Sequence, residues 1–143
     1  MDSAKQRWLK GVPEDKQATI LPPAWFEAWA KATLASDPGG SAMTPPVLRA
    51  PNGVLQDIRD YSLAGKPYYD PADIRVPVLI IGGDLDVDTP PYMAEAVFSK
   101  LSNAPYKRRV MIGEATHSVI MEKNRMQLFN EVQLFLEEKS ASK

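Results

Sequence analysis

The chain has 143 residues, 44% of them hydrophobic and 24% charged, the balance of an ordinary globular domain with one modest core. Seventeen basic residues face eighteen acidic ones, so no field of one sign points to a nucleic-acid or membrane partner. The sequence has no cysteine, which excludes disulfides, thiolate metal sites and cysteine nucleophiles and suits a cytoplasmic location.

The first ten residues are polar and mixed in charge, unlike a secretory signal, and no apolar stretch approaches the ~20 residues needed to cross a bilayer. Ten of the thirteen prolines lie between Pro13 and Pro77, which sets the first half apart from the second. Pro22-Pro23 introduces a helical pattern over Ala24–Ala30, with Trp25 and Trp29 four residues apart on one face. Residues 36–51 are rich in Gly, Pro and Ser, with Asp37-Pro38-Gly39-Gly40 as a breaker. Asn52-Gly53 marks a turn, Val54–Leu63 reads as one short helix, and Gly65–Pro71 reads as a connection.

The rhythm changes at Ile74. Val76–Gly82 is a continuous apolar run, expected of a parallel strand buried on both faces, and a proline near its start is permissible there. Pro90–Leu101 reads as a helix with Met93, Val97 and Leu101 on one face. Arg109–Ile112 reads as a second strand, with the basic Lys107-Arg108-Arg109 triplet as its solvated start. Arg125–Lys139 reads as a second helix, with Leu128, Val132, Phe135 and Leu136 on a common face. Strand, helix, strand, helix is the repeating unit of an open α/β sheet. Two parallel strands cannot cover their own edges, so further strands are expected from elsewhere, either other residues or another chain.

The loops after the two strands carry the chemistry, since ligands of open α/β sheets gather beyond the strands' carboxyl ends. The first loop is Gly83-Asp84-Leu85-Asp86-Val87-Asp88-Thr89-Pro90, the second Gly113-Glu114-Ala115-Thr116-His117. His117 is the single histidine, and imidazole as a group titrates near ~6.5, suited to acid–base work near neutrality. A buried carboxylate bonded to one ring nitrogen would fix its tautomer. Asp88 or Thr89 is expected to cap the helix that starts at Pro90, leaving Asp86 free. Asp84, Asp86, Asp88 and Glu95 fall in an EF-hand-like register. However, the position that needs glycine is Thr89, prolines follow, and a strand precedes, so no metal is expected.

The run from Val76 to Pro90 resembles the α/β-hydrolase pattern V-P-x-L-x-x-x-G-[DE]-x-D-x-x-x-P, and Gly113–His117 is similar to that family's G-x-[GA]-x-H loop. The resemblance covers Ile74 to Glu138. It implies the C-terminal part of an α/β-hydrolase fold, with Asp86 as triad acid and His117 as triad histidine. Residues 71–143 would be the last strand-helix-strand-helix of the core, and residues 1–70 a helical, Pro-rich cap. Trp25, Phe26, Trp29 and Met43 of such a cap are candidates to face substrate, although aromatics at helical spacing more often serve packing. The family's nucleophile sits in a G-x-S-x-G elbow, and none is present: Gly40-Ser41-Ala42 follows no strand, and Ser118 adjoins the histidine itself. The nucleophile and oxyanion hole are therefore expected outside this chain. The implied function is hydrolysis of an ester-like or related small molecule, with no cofactor, completed by an N-terminal half of the core. A different class of reading is a non-catalytic module that pairs through its sheet edge with that partner or with its own copy.

Overall fold

A computed structural model describes residues 2–138. It divides into two compact units, one formed by the residues up to Phe26 together with those from Pro71 onward, the other by Glu27–Asp70. The division falls within a helix, and residues 1–26, expected to belong with the rest of a cap, are grouped with the C-terminal half instead.

The first unit opens with α1 (Asp2–Trp8) and α2 (Glu14–Ile20), and α3 (Pro23–Ala35) begins in it. Trp8, Leu9, Val12, Ile20, Leu21 and Phe26 are buried, and Trp8 meets Phe26 edge-on at 6.1 Å between ring centres. Lys123 N donates to Ile20 O at 3.0 Å, so this N-terminal cluster is hydrogen-bonded to the C-terminal residues of the same unit.

Strand β1 (Val78–Gly83) and strand β2 (Lys107–Ile112) pair in parallel, from Val78 opposite Lys107 to Gly83 opposite Ile112. The connection is α6 (Pro91–Lys100), with Pro91 in its first turn, where a missing N–H costs nothing. A thirteen-residue helix, α7 (Arg125–Glu137), follows β2. The unit is thus mixed helix and sheet, in the order the sequence predicts.

Three expectations change. The β1 side chains are half-buried rather than buried on both faces, because among the described residues β1 pairs with β2 alone and its other edge has no strand. The basic triplet forms the first half of β2 rather than a solvated lead-in. Lys107 Nζ lies over the Phe98 ring, 4.8 Å from its centre, and donates to Phe98 O at 3.0 Å, and Arg108 pairs with Glu138. Of the four apolar residues expected on one face of α7, Leu128 and Phe135 turn inward. Leu128 packs on Ile112, Ala115 and Val119, and Phe135 stacks on Tyr106, whereas Val132 and Leu136 are exposed. A two-stranded sheet is too narrow to cover a wider stripe.

The second unit holds α4 (Pro38–Ser41) and α5 (Gly53–Asp57). The expected breaker at residues 37–40 is instead a capped turn: Asp37 accepts from Gly40 N at 3.0 Å, and Pro38 occupies the first turn. Arg49 grips the same carboxylate with Nε at 2.9 Å and holds it well below the usual carboxylate range. The single helix expected over Val54–Leu63 is α5 followed by a wider π-type turn, Ile58–Ser62, closed by Leu63 N donating to Ile58 O at 2.8 Å. Among the described residues, no helix is long and apolar enough to cross a membrane.

Candidate functional site

Parallel pairing in this register brings the carboxyl ends of β1 and β2 side by side, and the two loops beyond them are tied together. Asp84 N donates to Ile112 O at 3.0 Å, Leu85 N to Ala115 O at 3.0 Å, and Ala115 N to Asp84 Oδ1 at 3.3 Å. Gly83 permits this approach: a Cβ there would stand 2.1 Å from Ala115 O, a backbone atom that cannot step aside. The second loop is braced from behind. Glu114 adopts a φ of 51°, and its carboxylate receives Lys16 and Lys123 at 2.8 Å each, while Asn124 Nδ2 donates to Gly113 O at 2.7 Å. Those two lysines hold the Glu114 carboxyl down to about 2.

Within this frame the structure brings Asp86 and His117 together. His117 Nδ1 lies 3.0 Å from Asp86 Oδ2. The Asp86 side chain is only 6% exposed and every acceptor position it offers is used. Oδ1 accepts from Asp88 N at 2.9 Å and Thr89 N at 2.8 Å, and Oδ2 accepts from Thr89 Oγ1 at 2.6 Å. Burial pushes the Asp86 carboxyl up, but the Thr89 hydroxyl and amide, then His117, outweigh burial and hold it below its ordinary value.

The network assigns the protons. Thr89 spends its hydroxyl hydrogen on Asp86, so its oxygen, 3.1 Å from Nδ1, can face that nitrogen only as an acceptor. Nδ1 therefore carries a hydrogen, shared between Asp86 and Thr89, and in the neutral ring Nε2 is the nitrogen with a lone pair. The His117 side chain is 56% exposed, and among the described residues its hydrogen-bond partners are Asp86 and Thr89. Nε2 is thus open to a proton donor arriving from outside. The capping expectation fails in an instructive way. Pro90 precedes α6 with no side-chain cap, Asp88 faces Arg7 at 3.5 Å, and Thr89 serves Asp86, which itself closes the turn.

Asp86, Thr89 and His117 line a cleft of about 440 Å³, together with apolar side chains that include Ile81, Met93, Val97 and Leu128. Of the aromatics singled out in the sequence, Phe26 is buried against Trp8, and Trp25 carries the Arg125 guanidinium 4.1 Å from its ring centre; neither lines this cleft. Trp29, half-buried, and Met43, exposed, belong to the second unit. Residues the sequence reading passed over are Thr89, taken only as a cap, Gly83 and Glu122. A Thr three positions after an aspartate is a detectable sign of a side chain closing its own turn; Glu122 leaves no local sign. No family model, curated protein or solved structure matches this chain.

Proposed function

We propose that this chain is the C-terminal part of an α/β-hydrolase, supplying the acid and histidine of a site whose nucleophile and oxyanion donors come from outside it. The observation that carries the reading is the 3.0 Å contact between a buried Asp86 and His117 Nδ1, with Nε2 left open beside an apolar cleft. In the proposed reaction a nucleophile O–H gives its proton to His117 Nε2 as its oxygen attacks the acyl carbon of an ester-like small molecule. Asp86 stabilises the cation so formed. Nε2 then returns the proton to the leaving group, whose bond to the acyl carbon breaks. A carboxylate nucleophile would use the same pair to activate water. No step requires a cofactor. Of residues 1–70, expected to form a cap, those of the second unit, Glu27–Asp70, would serve as one, and the protein is taken to be cytoplasmic, in keeping with its cysteine-free sequence.

The edge of β1 that has no strand beside it among the described residues favours a second reading, a non-catalytic module that adds a strand from an N-terminal partner chain or from its own copy.

A chromogenic short-chain ester separates these readings. Wild-type chain should cleave it no faster than an equal concentration of free imidazole, because the attacking group is absent. Trifluoroethanol, added as a stand-in nucleophile, should produce an alcohol-dependent rate that His117→Ala lacks. Equal rates for the two proteins at every alcohol concentration would contradict the general-base role. Rapid turnover without alcohol that His117→Ala abolishes would mean that a nucleophile lies within the chain.

A further inference from the structure

We infer that Glu122 is a positioning residue for His117, and that Trp8 of α1 completes its support, so that the N-terminal helix is part of the machinery that holds the histidine. The relevance of this to chemistry rests on the reading of His117 as a base; the support itself is visible in the fold.

Glu122 is fully buried, at 0% exposure, five residues beyond His117. A buried carboxyl group is costly unless its oxygens are satisfied, so the donors around it show what its retention achieves. All three donors bear on the histidine loop or on α1. Trp8 Nε1 donates to Oε1 at 2.8 Å, Thr116 N donates to Oε2 at 2.9 Å, and Thr116 Oγ1 donates to Oε1. Thr116 Oγ1 in turn accepts from Ser118 N at 3.2 Å. The residues immediately before and after His117 are therefore both tied to one carboxyl group, directly at Thr116 and through its hydroxyl at Ser118.

This support is complementary to that of Asp86. Asp86 and Thr89 hold the ring at Nδ1, but a ring held at one nitrogen alone can still shift with its backbone. Glu122 fixes that backbone from inside the protein, and Thr116 is itself buried. Trp8 lies 114 residues away in sequence, and its indole N–H reaches a group that local structure could not reach. Its ring is also packed edge-on against Phe26, so the indole is held in place. An apolar contact alone would have bound α1 to the core. The directed N–H bond goes further and orients the carboxyl that carries Thr116.

The test uses the whole chain and two variants, with readouts that require no turnover. Trp8→Phe removes the N–H while keeping an aromatic ring against Phe26. Glu122→Gln keeps the size of the side chain but sets an amide N–H₂ against a donor. Hydrogen exchange at the Thr116 and Ser118 amides is compared with exchange at Ile81 and Gly82 in β1, alongside the imidazole nitrogen signals of the single histidine. Trp8→Phe should speed exchange at Thr116 and Ser118 about tenfold, leave β1 within about twofold, and shift the His117 ring from one tautomer toward a mixture. Glu122→Gln, where it folds, should do the same more strongly. Unchanged loop exchange and ring signals in Trp8→Phe would overturn the inference. So would acceleration of loop and strand amides by the same factor, which is what a merely structural contact would give. An ester assay that fails would refute the hydrolase reading and leave these measurements unaffected.

Discussion

Asp86→Asn removes one charge and two acceptor contacts while leaving the shape of the first loop. If the remaining carbonyl occupies the Oδ1 position, the bonds from Asp88 N and Thr89 N persist, and the loss falls on Oδ2, which faces Thr89 Oγ1 at 2.6 Å and His117 Nδ1 at 3.0 Å. Hydrogen bonds to a charged group are worth roughly 1.5–3 kcal/mol each. The His117 contact counts at or below the low end, because its ring is more than half exposed and screened by water. Thr89 can rotate to accept from the new amide and recover about 1 kcal/mol. The expected net loss is about 1–3 kcal/mol, read as a lower urea midpoint at pH 7 with an unchanged slope. The pH dependence is the sharper test. The Asp86 carboxyl is held below its ordinary value in the fold, so the stability it contributes is present above the unfolded value of about 3.9 and is lost as pH falls through the lower folded one. Asp37, Glu114 and Glu138 are lowered as well, but both proteins carry them and they cancel in the difference. The gap between wild type and Asp86→Asn should be full at pH 7 and shrink as pH falls below about 4. A gap that is absent at pH 7, or constant down to pH 3, would refute this reasoning.

Thr89→Val keeps the shape and deletes the hydroxyl, so it should cost about 1 kcal/mol and raise the Asp86 titration, which carbon-13 carboxyl shifts would follow. Gly83→Ala places a methyl 2.1 Å from Ala115 O and should cost about 1–3 kcal/mol or more by driving the two loops apart; urea unfolding indistinguishable from wild type would contradict the role given to Gly83. Glu114→Gln removes a carboxylate that Lys16 and Lys123 hold down to about 2. Its stabilising contribution is present above about 4.5 and lost as pH falls through about 2, so the variant should differ from wild type at pH 7 in dilute buffer, and less so in ~1 M salt.

Much of the first unit was legible because its signals are local. The apolar run before Gly82 and the Pro-led segment after it each announce an element, and the spacing of Asp86 and His117 behind two parallel strands announces their meeting. What the sequence does not carry is partner choice over distance. Nothing around Trp8 or Glu122 signals that an indole will reach a carboxyl 114 residues away, and so residues 1–26 are not legible as part of the C-terminal unit. The triplet at 107–109 misleads for a related reason. An ammonium can sit over an aromatic ring and a guanidinium can pair with a carboxylate inside the fold, so charge alone does not mark a solvated segment. Likewise the width of the apolar stripe on α7 promises more cover than a two-stranded sheet provides, which leaves Val132 and Leu136 outside.

The proposed site depends on Asp86 holding the His117 ring in one orientation with Nε2 as its basic nitrogen. Because the chain has a single histidine, long-range proton–nitrogen correlation of nitrogen-15-labelled protein reports that ring without assignment. With the ring neutral, wild type should show one tautomer, protonated at Nδ1, and Asp86→Asn should move the proton to Nε2. A wild-type ring protonated at Nε2, or one with the mixed tautomers of free imidazole, would contradict the acid–base pair at the centre of the proposed site.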